Sequence, residues 1–319
     1  MYEAFYDLKA KPFDLSPDPH FIYFTEQHCE ALSSVVYAIR ERKGFLALCG
    51  EVGTGKTTLV HVLLDLLERV GILSAFIFNP ILSRSEFFEC LLAEFNLKCD
   101  FASKVQALNK VNALLLERYR QGRITVLIID EAQNLSDEIL EEIRLLTNLE
   151  TSTEKLLQII LVGQPELSSR LDSPNLRQLK QRISLRCSLK PLTLSETAEY
   201  IRTRLRIAGL PNQELFSDAC IAEIYRCSGG IPRLVNTICD NALVTGFASD
   251  LKTIEVEIID EVAEDLRLIR RRKLASELSV PRNGDGKDGR GNAPTESTLD
   301  QNRDDPEGVE RLLKFVKES

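Results

Sequence analysis

The fold is decided by one eight-residue stretch, Gly50-Glu51-Val52-Gly53-Thr54-Gly55-Lys56-Thr57, which matches the complete P-loop pattern Gly-x-x-x-x-Gly-Lys-Ser/Thr. It follows an apolar run, Phe45–Cys49, and opens an amphipathic stretch, Lys56–Val70, so it joins a predicted strand to a predicted helix. Glycines let the backbone N–H groups of such a loop point at phosphate oxygens, beside the positive end of the helix. We therefore expect Lys56 to contact the β- and γ-phosphates of ATP and Thr57 to bind Mg²⁺.

A pair of acidic residues, Asp130 and Glu131, directly follows the apolar run 126–129. A buried strand of this kind delivers carboxylates to its carboxyl end, which is the edge where open α/β sheets bind ligands. We expect Asp130 to hold Mg²⁺ through its water shell and Glu131 to orient and polarise the attacking water. Acidic pairs also end strands without any chemical role, but a complete P-loop upstream favours hydrolysis.

Two weaker elements surround this predicted site. Gly163-Gln164-Pro165 follows another apolar run and places Gln164 at the same sheet edge, between the acids and the γ-phosphate, although the tripeptide alone is as readily a simple turn. Further along, Gly229-Gly230-Ile231-Pro232-Arg233 puts Arg233 at the start of a helix, with proline in its first turn. We expect Arg233 to report the state of the γ-phosphate to that helix.

Two arginines, Arg177 and Arg182, lie in a basic stretch just before the last predicted strand. An arginine at this position would project into the ATP of a neighbouring subunit and stabilise the charge that develops in the transition state. A solvated basic helix face explains each arginine equally well. The sequence leaves both interpretations open.

Short apolar runs alternate with longer amphipathic stretches between residues 26 and 191, which predicts an α/β core with a central parallel sheet covered on both faces. The predicted strands are Phe45–Cys49, Leu73–Phe78, Thr125–Ile129, Leu157–Val162 and Ile183–Ser188. The predicted helices of the core are Glu26–Arg42, Lys56–Val70, Ser85–Phe95, Lys104–Tyr119, Ser136–Leu149 and Asn175–Lys180.

Residues 192–273 show no strand pattern and predict a smaller all-helical lid, with helices at Ser195–Ala208, Ser217–Cys227, Pro232–Phe247 and Glu255–Arg272. Residues 1–25 are rich in proline and aromatic residues and predict an extended N-terminal strap. Residues 274–319 are polar and predict a flexible tail. The tail closes with an amphipathic end, which we interpret as weakly helical and, alternatively, as a docking peptide for a partner.

The composition narrows the function classes. Hydrophobic residues make up 44% of the 319 residues and charged residues 28%, which is typical of a folded domain in water. A net charge of -8 argues against general adhesion to nucleic acid, although a local basic patch remains compatible with it. Eight cysteines without a Cys-x-x-Cys pair favour a reducing, cytoplasmic compartment and argue against zinc. We expect neither a signal peptide nor a transmembrane segment.

These residues together resemble AAA+ ATPases of the ExeA/GspA type, which are associated with general secretion and related pilus-biogenesis and exopolysaccharide systems. The resemblance covers roughly residues 1–268. It is carried by Phe5-Tyr6-x-Leu8, Pro12-Phe13, Pro17-Asp18-Pro19, His28, Gly50–Thr57, Asp130-Glu131-Ala132-Gln133, Leu145–Glu150, Leu161–Leu167 and Gly229–Arg233.

The resemblance implies a role for each motif residue. Walker A would span Gly50–Thr58, including Thr58, and Walker B would consist of Asp130 and Glu131. Gln164 would be the first sensor, Arg233 the second, and Arg182 or Arg177 the arginine finger. The strap and the region of His28 would pack near the adenine. ATP with Mg²⁺ would then be hydrolysed between subunits of a homo-oligomer.

The resemblance also implies a cellular role, a motor or switch at the cytoplasmic face of the inner membrane that acts on a membrane-associated secretion or pilus partner. Longer members continue into a transmembrane helix and a periplasmic peptidoglycan-binding domain, whereas this sequence continues with Arg270-Arg271-Arg272-Lys273 and a polar tail. The basic cluster mildly favours an alternative, a DNA-associated assembly ATPase of the transposition-regulator type. A nucleotide-gated scaffold without turnover is disfavoured by Glu131.

Overall fold

The computed structural model describes residues 1–15, 21, 23–78, 81–97, 103–210 and 215–268. Its centre is one parallel sheet of five strands in the order β2-β3-β4-β1-β5. The strands are β1 (Phe45–Gly50), β2 (Leu73–Ile77), β3 (Thr125–Ile129), β4 (Gln158–Gly163) and β5 (Leu185–Leu189). The predicted fold class, an α/β core with a parallel sheet followed by a smaller helical unit, is confirmed.

Helices cover both faces of the sheet because side chains of each strand alternate between two apolar layers. In β1, Phe45 and Ala47 belong to one buried cluster, while Leu46 and Leu48 belong to the other. The first layer is covered by α4 (Arg84–Glu94), α5 (Lys104–Arg120), α6 (Asp137–Leu146), α7 (Pro165–Leu171) and α8 (Arg177–Lys180). The second is covered by α2 (Glu26–Arg40) and α3 (Lys56–Arg69).

Most core helices begin where the sequence supplies an N-cap. Thr25, Ser83, Ser103 and Ser136 each accept a hydrogen bond from a backbone N–H three residues later, which satisfies one of the free donors at a helix start. Helix α7 was not predicted, because the preceding Gly-Gln-Pro resembles a turn and the helix has only seven residues. The predicted extended strap was also partly wrong, since Tyr2–Phe5 form one helical turn, α1.

The lid consists of α9 (Leu194–Ile207), α10 (Asp218–Ser228), α11 (Pro232–Ala248) and α12 (Val256–Asp265). The last helix ends earlier than predicted, with Arg267 in a left-handed conformation. The described part of the strap belongs to the lid core, because its apolar side chains are buried in one cluster with lid residues; they are Tyr2, Tyr6, Leu8, Phe13 and Phe21. The predicted tail, residues 274–319, lies outside the described residues.

Arg204 of α9 fastens the strap to the lid. Its guanidinium is buried and donates hydrogen bonds to the backbone carbonyls of Pro12 and Phe21 and to the Tyr200 hydroxyl, the last at 2.8 Å. It also lies 5.1 Å from the ring centre of Phe21 and 5.3 Å from that of Tyr200. Buried guanidinium groups require this degree of pairing, so Arg204 holds Pro12 and Phe21 against the lid.

Within the lid, the backbone at Leu192 passes close to Gly230. The Leu192 N–H donates to the Gly230 carbonyl at 2.8 Å. A Cβ on Gly230 would lie only 2.0 Å from the Leu192 carbonyl oxygen, and Gly230 has φ +74°. Both the close backbone approach and the left-handed conformation therefore require glycine here.

Gly230→Ala should destabilise the protein far more than Gly229→Ala. Both residues are left-handed, at φ +74° and +58°, but nothing lies within 4 Å of a Cβ on Gly229. Gly229→Ala should therefore cost about 1–2 kcal/mol from its backbone conformation alone. Gly230→Ala should cost about 3 kcal/mol or more because overpacking is added. Urea unfolding measures both; equal losses would show that the Leu192 contact does not constrain the lid.

Candidate nucleotide-binding site

The P-loop connects the buried strand β1 directly to α3 at the carboxyl edge of the sheet. Gly53 and Gly55 have φ +82° and +94°, and Gly55 is the left-handed N-cap of α3. Inside the loop, the buried Thr54 hydroxyl donates to the Glu51 carbonyl at 2.8 Å. A Cβ on Gly50 would lie 2.7 Å from the Leu189 carbonyl oxygen of β5. The glycines are therefore required by backbone geometry, as the sequence pattern predicts.

Lys56 reaches across the mouth of this loop. Its Nζ donates to the carbonyl oxygens of Gly50 and Glu51, both at 2.8 Å, and the residue is only 6% exposed. Burial lowers the pKa of Lys56 below its ordinary value, while the negative charges of Glu131 and Asp130 oppose that shift. The ammonium group is thus placed between the loop carbonyls and the acidic pair.

The two predicted Mg²⁺ ligands are neighbours. The Thr57 hydroxyl donates to Asp130 Oδ2 at 3.2 Å, and the backbone N–H of Glu131 donates to Asp130 Oδ1 at 2.8 Å. Asp130 is fully buried, and burial raises the pKa of its carboxyl group, while these two hydrogen bonds oppose the rise. A hydroxyl and a carboxylate beside the P-loop fit a hard divalent cation that prefers oxygen ligands.

Glu131 lies directly beyond the end of β3 in a left-handed conformation, with φ +52°. Its Oε2 accepts hydrogen bonds from two amide groups, Gln164 Nε2 at 3.1 Å and Gln133 Nε2. Gln164 is the N-cap residue of α7 at the end of β4, the strand between β1 and β3. The structure therefore places Gln164 beside the acids, at the edge where the sequence places it.

The start of lid helix α11 packs against the P-loop at Gly53. The backbone N–H of Arg233 donates to the Gly53 carbonyl at 3.3 Å, and a Cβ on Gly53 would lie 2.7 Å from the Cβ of Arg233. The Arg233 side chain is exposed. The backbone of Arg233 is thus in contact with the loop. Its predicted role as a sensor requires the guanidinium group to reach the γ-phosphate, and that role stays a prediction.

His28 connects the first turn of α2 to the P-loop. Its Nε2 lies 3.0 Å from the Thr54 carbonyl oxygen, and its Nδ1 lies 2.8 Å from the Thr25 hydroxyl. A proton on Nε2 satisfies both contacts, because Nδ1 then accepts from the hydroxyl. Burial lowers the pKa of His28, which favours this neutral form. His28 therefore supports the loop through Thr54, a contact that the sequence did not predict.

The two candidate finger arginines lie on the surface, outside the site that their own chain forms. Arg182 is exposed and precedes Ser184, whose N–H donates to the carbonyl of Phe45, the first residue of β1. The P-loop begins at the other end of that strand, roughly 16 Å away at the usual rise per residue. Arg177 is also exposed and lines a surface cleft of about 360 Å³ beside α6. Neither joins the site within one chain.

Two residues near the acids were missed by the sequence analysis as functional candidates. Gln133 contacts Glu131 and also accepts from the backbone N–H of Gln164 at 3.1 Å. Arg170 of α7 donates to the carbonyl oxygens of Gln133 and Leu135, both at 2.7 Å. Gln133 belongs to the motif Asp130-Glu131-Ala132-Gln133, which carries part of the family resemblance and could have pointed to it. No sequence pattern pointed to Arg170, because the helix that contains it was not predicted.

Within the described ranges, no helix combines the length and the apolar character that a membrane crossing requires.

Residues 39–171 match the family described as AAA domain. Among solved structures, the chain is similar to the ORC2 protein of Aeropyrum pernix in its ADPNP-ADP complexes, with a TM-score of 0.58, 14% identity, and coverage of 81% of this chain and 72% of that one. It is also similar to CDC6P of Pyrobaculum aerophilum, with a TM-score of 0.60, 17% identity, and coverage of 80% and 70%. At these identities the likeness concerns the fold alone.

A closer relative in sequence is general secretion pathway protein A of Aeromonas hydrophila, which is 43% identical over 249 residues. That match covers 78% of this chain and 45% of the relative, so the chain spans about half the length of that protein. The P-loop, the acidic pair and four of the five strands, β1 to β4, lie within the matched residues 39–171. The chain therefore contains an AAA domain, within a region that is similar to general secretion pathway protein A.

Proposed function

We propose that this protein binds ATP with Mg²⁺ at the carboxyl edge of its sheet and hydrolyses the bond between the β- and γ-phosphates. The observation that carries the proposal is the convergence of Lys56, Thr57, Asp130 and Glu131, which come from two separate parts of the chain. Phosphoryl transfer depends mainly on positioning and on stabilising charge. The site meets these requirements with the buried ammonium group of Lys56, the oxygen ligands of Thr57 and Asp130 for a cation, and the Glu131 carboxylate for the attacking water.

Each residue then has a distinct task. Lys56 exchanges its loop carbonyls for the β- and γ-phosphate oxygens, and the backbone N–H groups of residues 53–57 surround the phosphates. Thr57 would ligate Mg²⁺ directly and Asp130 would hold it through its water shell, and the bound ion would neutralise charge on the phosphate oxygens. Glu131 orients the attacking water and accepts its proton. Gln164, next to Glu131, contacts the γ-phosphate, and Arg233 links it to the lid.

We further propose that hydrolysis is completed by Arg182 of a neighbouring copy. Arg182 is exposed, lies at the amino-terminal edge of the sheet, and is separated from its own P-loop by the whole length of β1. Its guanidinium therefore reaches a γ-phosphate only in an assembly where this edge faces the nucleotide site of the next chain. The proposal therefore includes a homo-oligomer with ATP between its subunits.

The likeness to general secretion pathway protein A supports a role in the assembly or remodelling of a secretion, pilus or export machinery. We place the protein in the cytoplasm, at the inner face of the inner membrane, where it acts on a membrane-associated partner. No observation in the described residues specifically favours the alternative, a DNA-associated assembly ATPase. The basic cluster 270–273 that suggested it lies outside those residues.

Lys56→Ala should weaken ATP binding by about 100-fold or more, because charge-assisted hydrogen bonds contribute roughly 1.5–3 kcal/mol each. Titration with a fluorescent ATP analogue in the presence of Mg²⁺ measures the change. Lys43→Ala, an exposed lysine at the opposite edge of the sheet, is the matched control and should bind normally. Unchanged affinity of Lys56→Ala would refute the assignment of the phosphate site.

Glu131→Gln should bind ATP normally and hydrolyse it about 100-fold more slowly or worse, since the amide cannot accept a proton from water. Phosphate release under saturating ATP gives kcat, and the binding titration is repeated on the same preparation. Glu138→Gln, an exposed glutamate at the start of α6, controls for the loss of charge. Turnover near that of the parent protein would remove Glu131 from the reaction.

Arg182→Ala should reduce hydrolysis by about 1,000-fold, which is the lower end of the usual contribution of an arginine finger. Mixing it with Lys56→Ala should restore part of the activity, because the second variant offers its intact Arg182 to the ATP of the first. Arg177→Ala, tested in the same way, identifies the finger if the loss appears there instead. Absence of rescue in both mixtures would contradict a role across the subunit interface.

A further inference from the structure

Gln133 occupies the 3₁₀ turn Ala132–Asn134, two residues after Glu131, and the reaction described above gives it no task. Its backbone is fixed from outside the turn. Arg170 Nη1 donates to the carbonyl oxygens of Gln133 and Leu135, both at 2.7 Å, and Arg170 Nη2 pairs with Asp137. One arginine of α7 therefore holds the whole segment that follows the acidic pair in a single position.

The side chain of Gln133 uses both ends of its carboxamide. The backbone N–H of Gln164 donates at 3.1 Å, so the atom that faces it must be the oxygen, Oε1. This requirement leaves Nε2 facing Glu131, where it donates to Oε2. Gln133 thus connects the segment that follows β3 to the segment that follows β4, and it does so with one donor and one acceptor.

The structure reserves space for this contact. A Cβ on Gly163 would lie 2.7 Å from Gln133 Oε1 and 2.8 Å from Leu167 Cδ2. Gly163 is the last residue of β4 and does not have a positive φ, so its backbone conformation alone does not require glycine. The absence of a side chain is what admits the Gln133 amide between the two strand ends.

We propose that Gln133 is a positioning residue for Glu131, an inference that rests on the proposed hydrolytic role of that carboxylate. Gln133 and Gln164 both donate to Oε2 of Glu131, so Oε1 is the oxygen left to orient water. When the Gln164 amide turns to the γ-phosphate, Gln133 is the donor that stays. It keeps a donor on Oε2 and so prevents the carboxylate from rotating away.

Two substitutions separate this role from simple packing. Gln133→Met keeps the length of the side chain but removes both hydrogen bonds, and kcat should fall by about 10- to 100-fold, as for other supporting partners of a reactive group. The affinity for ATP should stay unchanged, because Gln133 does not line the P-loop. Asn134→Ala, an exposed neighbour in the same turn, is the matched control and should retain the parent kcat.

Gln133→Glu adds a readout that packing alone does not affect, the pH dependence of kcat. Near pH 8 the introduced carboxylate can still accept from Gln164 but repels Glu131, so kcat should be low. As pH falls, two adjacent carboxyl groups share one proton, and the introduced group becomes a donor to Glu131 again. The ratio of its kcat to that of the parent protein should therefore rise toward acid pH, whereas the ratio for Gln133→Met should stay flat.

Five proteins are compared from pH 5.5 to 8.5 by ATP binding and by phosphate release: the parent, Gln133→Met, Gln133→Glu, Asn134→Ala and Glu131→Gln. Thermal melting verifies that each is folded. A normal kcat in Gln133→Met while Glu131→Gln is inactive overturns the positioning role and leaves the proposed function standing. A flat ratio for Gln133→Glu also overturns it, because the proton-dependent donor is then irrelevant. Normal turnover in Glu131→Gln overturns the proposed function together with this inference.

Discussion

The hydrogen bond between the Thr57 hydroxyl and the buried carboxylate of Asp130 joins the two halves of the site, and the remaining geometry is arranged around it. Thr57 follows β1 and Asp130 follows β3, and these strands are not neighbours in the sheet. The contact forms because β4 lies between them in parallel register, so that all three carboxyl ends reach the same edge. A charged group as buried as Asp130 needs such partners, or a cation, to remain ionised.

The contacts of the P-loop connect the proposed nucleotide site to the helical lid. The P-loop is in contact with three elements at once, through Gly50 with β5, through Thr54 with His28, and through Gly53 with Arg233 at the start of α11. The lid in turn carries the strap through Arg204. A displacement of the loop would therefore act directly on the first turn of α11 and, through the lid, on the strap, because close-packed segments transmit small displacements.

Local patterns predicted most of the elements but not all of them. The five strands were found because each is a short apolar run, and most helices were found because periodic apolar residues follow an N-cap. Helix α7 was missed since its seven residues are too few for a periodic pattern. The end of α12 was predicted too late in the chain, because Arg267 takes a left-handed conformation that an arginine in the sequence does not predict.

The sequence by itself determined the residues of the site that form continuous motifs. The P-loop and the pair Asp130-Glu131 are recognisable because their chemistry depends on neighbours in the chain, glycine freedom in one and the end of a buried strand in the other. Only the tertiary structure decided the contacts between distant segments. The contact of Gln133 with Gln164 spans 31 residues, that of Arg170 with Gln133 spans 37, and that of His28 with Thr54 spans 26. No local pattern encodes such pairs, since they exist only after the strand order has brought loop ends to one edge of the sheet.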